Sequence, residues 1–237
     1  MYEMSRIVTS SDCDENGIQS VVSIITMMQD CSGLWLEGVP EVLEWMHTNH
    51  LALILTSRQL DIYRRPTYRE RLTVRTWPYM FRGPLGYRNT VIYDANEKIV
   101  ACCWCTGPFI DLAAGKMIKA PAEVLDAMDM GEKLDMEYLP RRIALPDAAE
   151  FEALEPIDVR PSDIDYYRHV NNAQYVRMAC DLLPVGFEFN RMRIEYKSQA
   201  KLGMTITPRA CHVDGKVFVS LDDAEGKPFA EMEISRF

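Results

Sequence analysis

The polar residues best suited to chemistry lie in one segment, PSDIDYYRHVNNAQYV, at residues 161–176. Asp165 and His169 are four residues apart there, just before an apolar stripe with helical spacing. At the start of a helix, unpaired N–H groups and the positive end of the dipole can polarise a carbonyl oxygen and stabilise an oxyanion. The segment 163–172 is therefore our candidate for a site that activates a carbonyl group.

Each of these residues also has an ordinary structural explanation. Asn171 or Asn172 can cap the helix, Asp165 can form a turn, and His169 can be a hydrogen-bonded loop histidine. Their coincidence in a single loop is what favours a functional site over separate structural roles.

Two long helices are predicted, and the second of them follows this segment directly. Residues 20–38 carry apolar side chains at helical spacing, with Ser20 as the cap and Gly38 at the end. A second amphipathic stretch runs from about residue 171 to residue 183 and stops before Pro184.

Strands follow each predicted helix. Four segments rich in β-branched and aromatic residues come after the first helix, and four more come after the second. The turns at Asp214-Gly215 and Glu225-Gly226 indicate that the final strands are antiparallel. The prediction is an α+β fold, in which a long helix packs on an antiparallel sheet twice in tandem.

The two halves also match residue by residue. Four apolar positions correspond without gaps to four others, namely Leu60, Ile62, Leu72 and Val74 to Met192, Ile194, Met204 and Ile206. DANEK at 94–98 likewise matches DAEGK at 223–227. This correspondence indicates an internal duplication.

The N-terminal copy provides an internal control for the candidate site. Placing its helix over the second helix puts Asn16 opposite Asp165 and Ser20 opposite His169. The pair of carboxylate and imidazole is then missing from the first copy. We therefore expect the N-terminal half to bind substrate and the C-terminal half to catalyse.

Length and composition set the domain organisation and the compartment. The 237 residues accommodate two small domains, predicted at 1–125 and 156–237, with a proline-punctuated linker at 126–155. No basic and apolar leader opens the sequence, and its apolar stretches are far shorter than the about 20 residues that cross a bilayer. A cytoplasmic protein without membrane insertion is expected, with its seven cysteines as free thiols.

Metal and cofactor sites are not expected. Cys102 and Cys105 form a CxxC, but they lie in the apolar strand segment IVACCWC without a second pair or a nearby histidine. The four histidines show no metal-ligand spacing.

The charge distribution bears on partners. A formal net charge of −9 argues against nucleic-acid binding, which needs a basic surface. Eight arginines nevertheless lie between residues 58 and 88, including Arg64, Arg65, Arg69 and Arg71. This run is either a solvated face or a docking patch for an acidic partner.

Beyond these arguments, SDIDYYRHVNNAQY closely resembles the SDxDxNxHVNNxxY signature of the acyl-acyl carrier protein thioesterases, the plant and bacterial double hot-dog enzymes. YRRPTYRERLTVRTW is similar to the family's RYPTWGDxVxVxTW segment, and IEYKSQAKLG is similar to its EYxxEAKxG segment. The resemblance covers nearly the whole chain, with only the linker unmatched.

This resemblance implies two tandem hot-dog domains and a specific reaction. A fatty acyl chain would be hydrolysed from the phosphopantetheine arm of acyl carrier protein, releasing the free fatty acid and ending fatty acid synthesis. The family's catalytic Asp and His fall on Asp165 and His169. The helix start at Val170, Asn171 and Asn172 would hold the oxyanion, and Trp35, Met27 and Met28 would contact the acyl chain in the N-terminal half. The arginine patch would dock the acidic carrier.

The chain departs from the family pattern at two positions used for catalysis. The Asn between Asp and His is Tyr167 here, and the Glu that activates water falls on Gln199. Glutamine can orient water but cannot accept its proton, so the base would be Asp165 or His169.

Other functions and assembly states stay open at this stage. A non-catalytic acyl-binding module would follow if the loss of the Glu abolished turnover, and an acyl-CoA thioesterase would use the same fold on another carrier. Two fused copies fit a monomer that is a pseudo-dimer, and a homodimer is the alternative.

Overall fold

The structure is a computed structural model that describes residues 1–148 and 150–237 in full and residue 149 in its backbone only. Contacts within the chain divide it into two compact units, Met1–Tyr138 and Leu139–Phe237, called here the N-terminal and C-terminal units. The domain boundaries predicted from the sequence stay a prediction.

The N-terminal unit combines three α-helices with seven strands. Its strands are β1 (Tyr2–Ile7), β2 (Leu51–Leu53), β3 (Ser57–Ile62), β4 (Arg71–Arg82), β5 (Leu85–Tyr93), β6 (Ile99–Asp111) and β7 (Lys116–Ile118). Its helices are α1 (Val21–Glu37), α2 (Pro40–Thr48) and α3 (Ala122–Asp126). The strands pair antiparallel in the order β1-β4-β5-β6-β3, while β2 and β7 flank the far end of β6.

Helix α1 is the long helix predicted from the apolar spacing. It begins at Ser20, whose hydroxyl accepts the N–H of Ser23 at 3.1 Å, and its cap at the other end is Gly38. One face is buried against β4 and β5 through Val21, Ile24, Ile25, Met27, Met28, Cys31 and Trp35. Burial of each large apolar side chain contributes roughly 1.5–3 kcal/mol.

The C-terminal unit repeats this plan with fewer elements. It contains β8 (Glu152–Ala153), β9 (Ile157–Asp158), α4 (Asn172–Asp181), β10 (Arg191–Tyr196), β11 (Thr205–Val213), β12 (Lys216–Asp222) and β13 (Pro228–Ser235). The strands pair antiparallel in the order β10-β13-β12-β11-β8, with β9 on another part of β11. The α+β fold with a helix on an antiparallel sheet in each half is confirmed, as is the hairpin turn at Asp214-Gly215, where both residues have positive φ.

The predicted match between the strands of the two copies is wrong by two residues. Val8 N–H donates to Glu70 O at 2.9 Å, and Val159 N–H donates to Met204 O at 3.0 Å, so Glu70 corresponds to Met204. Strand residue Leu72 therefore corresponds to Ile206 and not to Met204. A shift of two residues preserves the alternation of inward and outward side chains, so hydrophobic matching cannot detect it.

The same shift applies to β3 and β10, whereas the turn match is correct. Tyr63 N–H donates to Val100 O and Lys197 N–H donates to Phe229 O, at 2.9 and 2.8 Å, which places Leu60 opposite Ile194. The DANEK and DAEGK turns close with the same hydrogen bond. The N–H of Asp94 donates to the carbonyl of Lys98, and the N–H of Asp223 donates to the carbonyl of Lys227.

The segment between the two sheets is held by long-range contacts inside each unit. In the N-terminal unit, Gln59 donates to Glu137 O at 2.8 Å. In the C-terminal unit, Arg193 donates to the carbonyls of Pro140 and Arg142. Residues on both sides of position 138 are thus packed against the sheet of their own unit.

Candidate active site

The candidate loop begins with a short turn of 3-10 helix, Pro161–Asp163, which is anchored by a buried carboxylate. The Asp163 side chain accepts the N–H of Arg160 at 2.8 Å and the Nη2 of Arg177 at 3.0 Å. Because Arg177 lies on α4, this ion pair fixes the start of the loop to the helix that follows it. Sequence reasoning did not assign Asp163 a role, although it is part of the SDxD motif.

Asp165 and His169 are brought together by the backbone of the loop. Asp165 N–H donates to His169 O at 3.0 Å, and Arg168 N–H donates to Asp165 O at 2.9 Å. One carboxylate oxygen, Oδ1 of Asp165, accepts the N–H of Tyr167 at 3.0 Å, which is the turn-forming role of an aspartate. Both Asp165 and His169 are partly buried, whereas Tyr167 is 63% exposed and its ring lies 3.9 Å from that of Tyr166.

The helix start is capped by one of the two asparagines that the sequence offers. Asn171 is the N-cap of α4, and its Oδ1 accepts the N–H of Ala173 at 2.9 Å. Val170 N–H and Asn171 N–H donate to the carbonyls of Ala200 and Asp163, each at 2.9 Å. Among the described residues, Asn172 is then the member of this trio whose N–H has no acceptor, so it is available to an oxyanion.

Position 199 reaches the loop through its neighbour in sequence. Gln199 is exposed, and Ala200, which follows it, is fully buried. Ala200 accepts the N–H of Val170 and donates its own N–H to the hydroxyl of Tyr175 at 2.8 Å. The backbone beside Gln199 is therefore fastened both to the loop and to α4.

Tyr175 is a residue of this site that sequence reasoning did not single out. It lies on α4 with 2% of its surface exposed. Burial raises the pKa of Tyr175 to about 12, the hydrogen bond from Ala200 opposes that rise, and the nearby Asp165 carboxylate adds to it. Its position as the last letter of the HVNNxxY motif was the available signal.

The N-terminal unit contains a loop of the same shape, which corrects the predicted overlay. Asp14 N–H donates to Ile18 O at 2.9 Å and Gly17 N–H donates to Asp14 O at 3.0 Å, the same bonds that join Asp165, Arg168 and His169. Asp14, not Asn16, is thus the counterpart of Asp165. Ile18, not Ser20, is the counterpart of His169. The copy keeps the carboxylate and lacks the imidazole.

The predicted acyl-binding residues lie together inside the N-terminal unit. Met27, Met28 and Trp35 are all on the buried face of α1, with at most 4% of their surface exposed. Trp35 also packs in a cluster with Phe109 and lies 3.7 Å beneath the guanidinium of Arg88. Burial lowers the pKa of Arg88 to about 10.

The arginine patch is only partly available to a partner. Arg64 is paired with Glu70 and with Asp94, the latter at 3.1 Å. Arg69 and Arg71 are exposed and form no ion pair with the residues that the structure describes. Arg69 and Arg71 are thus available to a partner, whereas Arg64 is already held by two carboxylates.

Within the described part of the chain, no cluster of three or more His, Cys, Asp or Glu side chains could hold a metal ion.

Among the described residues, none of the helices has the length and apolar character needed to cross a membrane.

Comparisons with known proteins match both halves of the chain. The family model for the acyl-ACP thioesterase N-terminal domain matches residues 1–127, and that for the C-terminal domain matches residues 147–224. No curated protein matches the sequence significantly. An acyl-ACP thioesterase from Bacteroides thetaiotaomicron is similar in structure, with a TM-score of 0.89, 17% identity, and 98% of this chain and 96% of that chain covered. The 12:0-ACP thioesterase from Umbellularia californica is similar with a TM-score of 0.85 and 14% identity, and the match covers 99% of this chain and 96% of that chain. Each half of the chain has the hot-dog fold.

Proposed function

The chain belongs to the acyl-ACP thioesterase family, and we propose that it hydrolyses fatty acyl-acyl carrier protein at the loop 163–172. Water attacks the thioester carbonyl carbon, the C–S bond breaks, and the products are a free fatty acid and the thiol of the carrier's phosphopantetheine arm. The observation that carries the assignment is the loop geometry, which sets Asp165 and His169 side by side at the start of α4.

We assign the general base to His169. The N-terminal loop has the same backbone hydrogen bonds with Asp14 and Ile18 in place of Asp165 and His169, so the aspartate serves the turn in both copies. The imidazole is what distinguishes the C-terminal loop, and a histidine suits proton transfer near neutral pH. Asp165 orients the reacting water through its Oδ2. This oxygen is available to a water because it accepts no hydrogen bond from the described residues.

The remaining groups of the site act on the carbonyl and the water. The N–H of Asn172 is the proposed oxyanion donor, since Val170 and Asn171 donate elsewhere. Gln199 is exposed and orients water with its amide without taking a proton. Tyr167, in the place of the family's Asn, contacts the arriving thioester.

We further propose how the two ends of the substrate are held. The acyl chain lies in the N-terminal unit along Met27, Met28 and Trp35, which are apolar side chains on the inner face of α1. The acidic carrier protein docks on the arginine patch through Arg69 and Arg71, with Arg65 beside them and Arg64 held by Glu70 and Asp94.

The compartment and assembly state belong to the proposal as well. We propose a cytoplasmic protein that works as a monomer built as a pseudo-dimer, and a homodimer is the alternative. Light scattering of the full chain in solution separates the two.

The test is turnover of acyl carrier protein and coenzyme A thioesters of graded chain length. His169→Ala should lower kcat by about 10²- to 10⁴-fold, the range for loss of an acid–base group. Asp165→Asn should lower kcat by less, because it replaces a carboxylate that orients water and leaves the general base in place. Gln199→Glu should raise it, because a carboxylate can accept the proton. Full turnover of both His169→Ala and Asp165→Asn would remove the reaction from this loop. Faster release from coenzyme A than from acyl carrier protein would reassign the carrier.

A further inference from the structure

The hydrogen bond between Tyr175 and Ala200 connects three parts of the proposed site. The Ala200 N–H donates to the Tyr175 hydroxyl at 2.8 Å, and the Ala200 carbonyl accepts the N–H of Val170 at 2.9 Å. Both polar backbone groups of Ala200 are thus fixed, one to α4 and one to the residue after His169. Since Gln199 directly precedes Ala200, its backbone can move little relative to the loop.

The N-terminal unit lacks this bond at the equivalent positions. By the hydrogen-bond patterns above, Tyr175 corresponds to Ile24 and Ala200 corresponds to Pro66. Isoleucine has no hydroxyl and proline has no N–H, so both partners are absent together. The other link is kept, because Gln19 N–H donates to Pro66 O at 2.8 Å, as Val170 does to Ala200.

The N-terminal unit shows that the hot-dog fold forms without a hydrogen bond between these two positions. The N-terminal loop closes with the same bonds, and α1 packs on its sheet, without any counterpart of the bond from tyrosine to amide. The fold therefore does not need it. A buried hydroxyl has to be satisfied, so replacing Tyr175 with an apolar residue would be the simpler solution if only packing mattered.

From this comparison we propose that Tyr175 is a positioning residue for the hydrolysis, which holds the segment of Gln199 against the loop of Asp165 and His169. The inference rests on the proposed function. The hydroxyl oxygen accepts the Ala200 N–H, so its own proton points away from that amide, and the Asp165 carboxylate contributes to the raised pKa of Tyr175. Tyr175 acts through position 199 and does not touch the substrate.

The experiment is a double-mutant cycle that uses the N-terminal unit as a guide. Tyr175→Phe removes the hydroxyl, and Ala200→Pro removes the N–H while keeping the carbonyl, as Pro66 does. Each should lower kcat on acyl carrier protein thioesters by about 10- to 100-fold with little change in KM, the effect of misplacing a group by about an ångström. The double variant should lose no more than either single variant, because both remove the same bond.

Two further measurements distinguish positioning from stability. The rate gain from Gln199→Glu should disappear in the Tyr175→Phe background, since a new carboxylate helps only if it is held in place. Tyr138→Phe is the matched control, because the single hydroxyl proton of Tyr138 lies between two acceptors in the other unit, Asn89 Oδ1 at 3.1 Å and Leu134 O at 2.8 Å. It should lower the melting temperature to a similar extent and leave kcat unchanged.

The proposal is overturned by any of three results: wild-type kcat in Tyr175→Phe, additive losses in the cycle, or a full Gln199→Glu gain without the hydroxyl. Each is distinguishable from failure of the proposed function. That failure would appear as unchanged turnover of His169→Ala and Asp165→Asn, whatever Tyr175→Phe does.

Discussion

The loops that precede α1 and α4 have the same backbone and different chemistry. In each, an aspartate side chain accepts the N–H three residues before it, Asp12 from Thr9 at 2.7 Å and Asp163 from Arg160 at 2.8 Å. A second aspartate in each loop accepts the N–H two residues after it. The carboxylates therefore belong to the architecture of the loop.

The positions that differ between the copies include those suited to catalysis. His169 is equivalent to Ile18 of the N-terminal copy. Tyr175 and Ala200 are equivalent to Ile24 and Pro66. Comparing equivalent residues of the two copies therefore helps to assign their roles. A residue type that both loops contain is expected to serve the fold, and one that only the C-terminal loop contains is a candidate for the reaction. Asp165 alone is weak support for catalysis, and His169 is strong support.

The largest effect is expected from making the catalytic loop resemble its copy. His169→Ile should lower kcat by about 10²- to 10⁴-fold, through loss of the proton acceptor, while the loop keeps its shape because Ile18 already occupies the same place. Steady-state turnover and circular dichroism measure the two parts. Ile18→Ala in the N-terminal loop is the control and should leave kcat unchanged. Unfolding of His169→Ile, or wild-type turnover, would contradict the comparison.

The next effect concerns a buried ion pair of the C-terminal unit, at a position where the N-terminal unit has two uncharged residues. Arg193 and Glu233 face each other across β10 and β13 at 2.7 Å, where the N-terminal unit has Gln59 and Trp104. Glu233→Gln leaves the buried Arg193 charge without its partner and should reduce the free energy of unfolding by about 3–5 kcal/mol.

Urea denaturation of the full chain measures this loss. The pair of half-buried Arg75 and exposed Glu97 supplies the control, since Glu97→Gln should change the free energy of unfolding by less than about 1 kcal/mol. Equal losses in the two variants would show that burial does not make the C-terminal pair special.

Much of this comparison could be predicted from the sequence, because it depends on local signals. Periodicity predicts the two helices, Ser20 is predicted as the first cap, and Asn171 is one of two asparagines predicted as the second cap. The clustering of Asp165 and His169 is also local. The strand register was not predictable, since a shift of two residues keeps the same face buried.

The unpredicted features of the site all come from long-range contacts. Val170 and Asn171 donate to Ala200 and Asp163, so these two N–H groups are occupied by partners that no periodicity indicates. The bond from Ala200 to Tyr175 likewise joins residues 25 positions apart. Such contacts follow from packing of the unit and have no signature in a window of the sequence.

A smaller effect is expected from the left-handed residue that both loops contain. Gly17 has φ of +73° and Arg168 has φ of +66°. A Cβ at Gly17 would meet no atom closer than 3.9 Å, so Gly17→Ala should destabilise through backbone strain alone, by about 1–2 kcal/mol. Arg168→Gly should relieve that strain and stabilise by about 1 kcal/mol at most. Thermal unfolding compares the two variants. Stabilisation by both, or by neither, would show that the loops are not equivalent at this position.

The smallest effect is a pH dependence that only the C-terminal unit can show at this position, because Ile24 has no proton to lose. Burial raises the pKa of Tyr175 to about 12 from an ordinary value of 10. The folded chain therefore holds the phenol proton more tightly than the unfolded chain, so this contribution to stability is complete below pH 10 and is lost as pH rises through 12.

At pH 8, Tyr175→Phe should be less stable than wild type by about 1 kcal/mol, since the Ala200 N–H loses its acceptor. Between pH 10 and 12 that difference should shrink, because only wild type has a phenol to ionise. Urea denaturation at pH 8, 10 and 11 follows it, and the exposed Tyr166→Phe should match wild type throughout. A difference that stays constant with pH would mean that the Tyr175 hydroxyl is not buried against Ala200 in the folded protein.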